Sequence, residues 1–458
     1  MIVAPITDAV VVLPGIMGSE LVDAHGKVVW GQQLSMLRAH FSHVYEGVKV
    51  KPEELEGPPL LRPSRLITRT GVLSGFGSQG PYTDLVRKVE GAAVADAAVA
   101  AFPYDWRLSI EHNGVLLSTF ALAHLQRWKE ALRGIVQAAE GPLRRFDVDR
   151  VQLSFVAHSM GGLVARWACR DAEVAAATRQ IVSLGTPYRG SAKTVGVLSS
   201  GQSPWFLDNR AAQHVAVSAP GFYDLLPRDA CVADAGHWRR LDHDDVASMG
   251  GSATFAAEGS SRSEVIAPSV PLGDVVTIPI VGFTMPTSLT VRRGADGWVH
   301  EAVDWDGYRS LGDGTVAELP PPAGSVAQRY VSAHEELANS PTIIEVVIRH
   351  LKGAPEPPVT LAPPRELGMS SPVTAPQGRL TVSITEVGVD RPSPSGITVS
   401  SRSETPGGHW MAQVGWTFDG TKDNELLFSR GLLAGIHRIT TTGGGNVGVS
   451  CATAVLTE

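Results

Sequence analysis

A serine, a histidine and a carboxylate are the side chains whose placement in this chain could do covalent chemistry. The stretch Val151–Arg166 reads VQLSFVAHSMGGLVAR: strand-forming residues run up to His158, Ser159 follows, and a helical pattern begins at once. That is the sequence form of a nucleophile elbow, the sharp strand-to-helix turn that lifts a serine Oγ clear of a sheet edge. A hydroxyl is a weak nucleophile by itself, so the turn matters twice. It exposes Ser159 to a base, and it sets the N-terminal amides of the next helix beneath any oxyanion that forms. Gly161 and Gly162 supply the small residues that a close strand–helix approach needs, and Ala157 stands, small for small, where G-x-S-x-G has its first glycine. His158 reads as elbow packing, with a substrate-facing role as the alternative, because a sequence neighbour cannot easily fold back onto Ser159.

A serine activated this way needs an imidazole and an orienting carboxylate, each on a loop after a strand and in the order serine, acid, histidine. Leu311–Val316 (LGDGTV) holds Asp313 between two glycines. Such a tight turn could fix a carboxylate rigidly, although a plain Asp-Gly turn reads the same way. His300 lies upstream of Asp313, His350 sits near the end of a helix where it complements the dipole, and His409 belongs to a distant segment. His334, in YVSAHE, falls between the last expected strand and a helix capped by Ser340, where a mobile, solvent-reachable imidazole is wanted. An oxyanion hole takes two backbone donors. Met160 supplies the one after the nucleophile, and Met17, in the Gly-flanked loop Pro14–Gly18, is the candidate for the second.

The elements that must hold these residues follow from periodicity. Asp8–Leu13, Gln180–Leu184, Val276–Phe283 and Ala327–Val331 read as strands, beside the elbow strand. Val115–Ala139 reads as a helix, and Ser340-Pro341 opens another that runs to Lys352, with Gly353 placed to end it. Strands alternating with helices predict an α/β fold with a mostly parallel sheet covered on both faces. Residues 24–80 show few clear elements, though Trp30–Tyr45 is amphipathic. Residues 190–275 mix Trp205, Phe206, Phe222, Tyr223, Leu225 and Leu226 with loop chemistry, which suits a cap over an apolar pocket or a plain structural insertion. Residues 353–378 are a Pro-rich linker by composition. Residues 379–458 carry spaced β-type runs that predict a small all-β, sandwich-like domain, read as a binding or assembly module or as a stabilising appendage.

At 458 residues the chain suits two domains. A net charge of −7 and the lack of any dense Lys/Arg block argue against a nucleic-acid partner. Cys169, Cys231 and Cys451 are too few and too scattered for a disulfide framework, and no pair has metal-ligand spacing, so no metal or other cofactor is expected. The first residues, MIVAPITDAVVVLPG, lack a basic region and carry Asp8 within the apolar run. A signal peptide and a membrane span are therefore not expected, and residence in the reducing cytoplasm is.

Taken together, these blocks resemble the lecithin:cholesterol acyltransferase family, in the lipase and esterase branch of the α/β-hydrolases. The matching segments are Val12–Leu21 (VLPGIMGSEL), Phe102–Arg107 (FPYDWR), Ala157–Arg166 (AHSMGGLVAR), Leu184–Ser191 (LGTPYRGS), Pro220–Pro227 (PGFYDLLP) and Leu311–Val316, with His334 beyond. They run in family order over most of residues 8–352. The resemblance implies an α/β-hydrolase fold with cap insertions, Ser159 as nucleophile, Asp313 as acid and His334 as base. It also implies that Met17 and Met160 line the oxyanion hole, and that Asp105-Trp106-Arg107 is a packed structural and pocket-wall element. Extracellular members hold a lid with disulfides, for which this chain has no pair, and its C-terminal β-rich segment has no counterpart in the resemblance.

The function expected is a serine esterase or lipase acting on acyl esters of phospholipids or other apolar lipids through an acyl-enzyme. Hydrolysis or O-acyl transfer then depends on how well the site excludes water. Transient contact with a membrane surface, and a protein partner for the β-domain, would go with that activity. The rival is a catalytically silent hydrolase-fold scaffold that presents the β-domain to a partner.

Overall fold

Short runs of β-branched residues that are apolar on both sides can be buried only in a sheet covered on both faces. Ala9–Leu13 (β1, AVVVL) is such a run and is buried at every position. In the computed structural model Val11 and Leu13 enter one core, whereas Val10 and Val12 enter the other. The structure describes residues 5–31, 46–67, 82–201, 209–234, 237–294 and 297–354, together with the backbone of residues 43–45 and of the strands between 367 and 455.

Six parallel strands make the central sheet: β1, Val99–Ala101 (β2), Leu153–His158 (β3), Thr178–Leu184 (β4), Val276–Gly282 (β5) and Gln328–Tyr330 (β6), in the order β6-β5-β4-β3-β1-β2. Five of these lie where the strand patterns put them. The edge strand β2, with only three residues, gave no pattern of its own. Helices Thr83–Ala92 (α1) and Pro341–Leu351 (α4) contribute to the core under Val10 and Val12, and Ile110–Ala138 (α2) and Met160–Ala168 (α3) to the other. This is the α/β-hydrolase architecture expected. Helix α2 begins five residues before the predicted Val115, because Ser109 caps it by accepting the His112 amide. Helix α4 opens as predicted, with Ser340 accepting from the Ile343 amide and Pro341 in the first turn.

From β1 the chain passes to its outer neighbour β2 and then returns to β3 on the other side. Winding therefore reverses between β1 and β3, and loops leaving the carboxyl ends of strands at such a reversal diverge and open a crevice. The two loops there are Pro14–Gly18 after β1 and the Ser159 elbow after β3.

Around this body, Ser19–Val22, Val28–Trp30 and Arg62–Leu66 form an antiparallel sheet. Residues 190–275 hold helices that include Lys193–Ser200, Asn209–Ser218 and Ala253–Val265. Trp205 and Phe206, and most of the amphipathic stretch Trp30–Tyr45, lie outside the described residues. The C-terminal part forms two four-stranded sheets. Two of their strands, Leu367–Ser370 and Thr374–Ala375, fall within the stretch read as a linker, and the first of them lies between Pro364 and Pro372, where no proline blocks pairing. Among the described residues, no helix is long and apolar enough to cross a membrane.

Candidate active site

The elbow is strained where it must be. Ser159 has φ 51° and ψ −125°, and among the described residues only Ser159 and Met17 are non-glycine with positive φ. Such a conformation persists only where the surroundings over-determine it. Here the Ser159 amide donates to the Leu184 carbonyl at 2.8 Å. On the helix side a Cβ on Gly161 would meet the Pro14 carbonyl oxygen at 2.5 Å, and one on Gly162 would overlap the Thr186 side chain. Only glycines allow α3 to start this close to β1 and β4.

Three loops bring the predicted trio together. His334 Nε2 lies 2.9 Å from Ser159 Oγ, and His334 Nδ1 lies 2.7 Å from Asp313 Oδ2. The other carboxylate oxygen of Asp313 accepts the Thr315 amide at 2.9 Å and the Val316 amide at 2.7 Å, so the Asp-Gly turn does fix the carboxylate. A carboxylate that takes three donors is held in one orientation and offers Oδ2 to the imidazole. Nδ1 then carries a hydrogen, and Nε2 faces the serine as a lone pair. Burial disfavours a charge on His334, but the Asp313 carboxylate outweighs it, and the pKa is raised above the usual histidine value.

In one respect the site differs from expectation. His334 is not a mobile, solvent-reachable residue; it starts a short 3-10 turn, His334–Glu336, and only 3% of it is exposed. The cause is packing against the His158 ring, with centroids 5.0 Å apart, and a hydrogen bond donated by the His334 amide to the Asp313 carbonyl.

For the oxyanion candidates, Met160 is the first residue of α3, and Met17 takes the third place of a turn closed by the Gly18 amide on the Gly15 carbonyl. That place favours glycine. Met17 holds it with φ 64° while its side chain is buried and its carbonyl accepts from Trp30 Nε1 at 3.0 Å. Among the described residues neither the Met17 nor the Met160 amide has a protein acceptor. Ile16, next in the same loop, lines the recess beside Ser159.

That recess is walled by Ile16, Pro187, Val197, Phe222, Leu225 and Val316, with Ser191, Lys193, Thr194 and Thr315 as its polar members. A larger hollow of about 560 Å³, bordered by Tyr223, Arg228 and His243, does not include Ser159. Lys193 gave no sequence signal, since a lone lysine at a helix start reads as solvated. Its Nζ donates to the Gly314 carbonyl at 2.7 Å, and burial lowers its pKa against the pull of Glu335 and Asp313. Tyr82, at the start of α1, was equally silent. Its hydroxyl lies 2.9 Å from His158 Nδ1, and His158, read as packing, is buried with its pKa pushed down to about 3, first by burial and then by His334.

Asp105-Trp106-Arg107 is structural here. Arg107 meets Asp105 at 2.7 Å and Glu54 at 2.9 Å, all three buried. Trp106 lies behind the recess, edge-on to Phe222, whose own side chain forms the wall.

Residues 77–250 match the family model described as lecithin:cholesterol acyltransferase. Among curated proteins, none matches the chain. Among solved structures, the mature form of the Bacillus licheniformis lipase BlEst2 is 13% identical over 77% of this chain and 93% of that one, with a TM-score of 0.34. Its propeptide form is 14% identical over 99% and 74%, with a TM-score of 0.33. Phospholipase PlaB from Legionella pneumophila is 12% identical over 82% and 90%, with a TM-score of 0.29. The family match takes in Phe102–Arg107, the elbow, Leu184–Ser191 and Pro220–Pro227, and ends before Asp313 and His334. Residues 77–250 are thus similar to the lecithin:cholesterol acyltransferase family, and the chain that carries them is built on a six-stranded parallel sheet.

Proposed function

We propose that the protein is a serine esterase or lipase that cleaves acyl esters of phospholipids or related apolar lipids through an acyl-enzyme. The observation that carries this reading is the unbroken line from Asp313 through His334 to Ser159, at 2.7 Å and 2.9 Å, assembled from three separate loops. His334 takes the Ser159 proton as Oγ attacks the ester carbonyl, and Asp313 stabilises the imidazolium. The Met17 and Met160 amides stabilise the developing oxyanion. The imidazolium then protonates the departing alcohol, and a water or a second alcohol, deprotonated by His334, releases the acyl group.

The wall beside Ser159 supports this substrate class. The recess itself is small, about 20 Å³, but its lining, apolar with a few polar groups near Ser159, is the chemistry an acyl ester calls for. Resemblance of residues 77–250 to an acyltransferase family supports the same class and makes O-acyl transfer the second outcome of the acyl-enzyme. In this reading residues 1–352 are the hydrolase with its cap insertions, and the two C-terminal sheets, whose first strand begins at Leu367 inside the stretch read as a linker, form a module for a protein partner. The test is turnover of p-nitrophenyl esters of increasing chain length, and of phospholipid vesicles, by the full chain. Hydrolysis that disappears in Ser159→Ala supports the reading, and its absence in a folded wild-type protein overturns it.

A further inference from the structure

His158 takes no part in the steps above, yet both its ring nitrogens are engaged. Nε2 lies 3.0 Å from the backbone carbonyl oxygen of His334. A carbonyl only accepts, so Nε2 must carry the hydrogen. In a neutral ring Nδ1 is then a lone pair, and the Tyr82 hydroxyl 2.9 Å away must donate to it. With its hydrogen so used, the Tyr82 oxygen accepts from the Gly15 amide at 2.8 Å. An imidazolium at His158 would set an N–H against the Tyr82 hydroxyl, and burial keeps the ring neutral.

The bonds therefore run one way, from Gly15 N–H to Tyr82, from Tyr82 O–H to His158, and from His158 Nε2–H to the His334 carbonyl. The two ends are the parts that must close on Ser159. Gly15 belongs to the loop that carries Met17, so close to the elbow that a Cβ on it would sit 2.9 Å from both His158 Nδ1 and Ser159 Cβ. His334 is the base.

We propose that Tyr82 and His158 are positioning residues, a hydrogen-bond relay of fixed tautomer that locks the oxyanion loop and the base-bearing segment into one register about Ser159. The relay rests on the triad reading above and deepens it. Its effect is on geometry: a small shift of the His334 segment misaligns the imidazole in the transition state more than it disturbs substrate binding.

The test compares full-length wild type, Tyr82→Phe, His158→Gln and His158→Ala with a p-nitrophenyl ester, alongside ¹⁵N NMR of histidine-labelled protein. Expected is a fall in kcat of about tenfold or more in Tyr82→Phe, with KM within about twofold. His158→Gln, whose amide can place an N–H near the lost Nε2, should keep more kcat than His158→Ala. In the wild type one imidazole should remain a neutral Nε2–H tautomer between about pH 5 and 8, and its signals should leave that position in Tyr82→Phe. Unchanged kcat in Tyr82→Phe, a rise in KM alone, or a His158 that titrates like a free imidazole would each overturn the proposal. If His158→Ala does not fold, Tyr82→Phe, which removes a single oxygen, still decides. Fluorophosphonate labelling separates the two failures. A wild type that labels at Ser159, with Tyr82→Phe labelling equally fast, defeats the relay alone. A wild type that never labels defeats the triad reading, while the NMR tautomer continues to judge the relay.

Discussion

His334 is bound to Asp313 twice, through the ring at 2.7 Å and through its own amide on the Asp313 carbonyl at 2.9 Å. Asp313 thus holds both the side chain and the main chain of His334. In Asp313→Asn the new amide must point either at Nδ1–H or at the Thr315 and Val316 amides, and each choice sets donor against donor. Expected is a loss of kcat of roughly 10⁴-fold, read with a p-nitrophenyl ester, with the fold retained by circular dichroism.

The pH profile should carry the same signature. In the proposed mechanism His334 works as the neutral base, and its pKa is raised because Asp313 outweighs burial. The acid limb of kcat/KM should therefore lie above the ordinary histidine value of about 6.5. In Asp313→Asn burial and Lys193 are opposed by Glu335 alone, so the limb should move to lower pH even as the rate falls. For stability the sign is opposite to that of activity. A raised histidine pKa stabilises the fold fully below the unfolded value, and that contribution is lost as pH rises through the folded value. Urea titrations of wild type against His334→Gln at both ends of this range would read it.

Gly185 sits at φ 60° beneath the pair, and a Cβ there would lie 3.0 Å from both Asp313 Oδ2 and His334 Nδ1 and 2.7 Å from Leu337. Gly185→Ala should lower stability by about 1–3 kcal/mol and lower kcat more than it raises KM. Urea midpoints and steady-state kinetics would check this.

Arg107 neutralises Asp105 and Glu54 out of reach of water. Arg107→Met strands two buried carboxylates and should cost about 3–5 kcal/mol in urea unfolding. The exposed pair Arg133–Asp149, by contrast, should yield within about 1 kcal/mol on Arg133→Ala.

What the sequence reveals, and what it hides, divides along physical lines. β1, β3 and the elbow are apparent because burial on both faces forces an unbroken apolar run, and because only glycines fit at 161 and 162. Asp313 and His334 emerge from order and loop placement, with the turn's rigidity visible only in its bonds to Thr315 and Val316. β2 is hidden because three residues of an edge strand carry no period. Tyr82 is hidden because its role depends on a neighbour 76 residues away, with nothing local to mark it. Lys193 looks solvated until the loop of Gly314 folds over it. The burial of His334 was missed for the same reason: packing against His158 is a fact of tertiary structure.

A single labelling experiment bears hardest on the enzymatic reading. Incubating the full chain with a fluorophosphonate and mapping the adduct by peptide mass spectrometry should give one modified serine, Ser159, near stoichiometric yield, with labelling strongly slowed in His334→Ala. A folded wild-type protein that acquires no adduct, or acquires it on another serine, would contradict the assignment of Ser159 as nucleophile and His334 as its base.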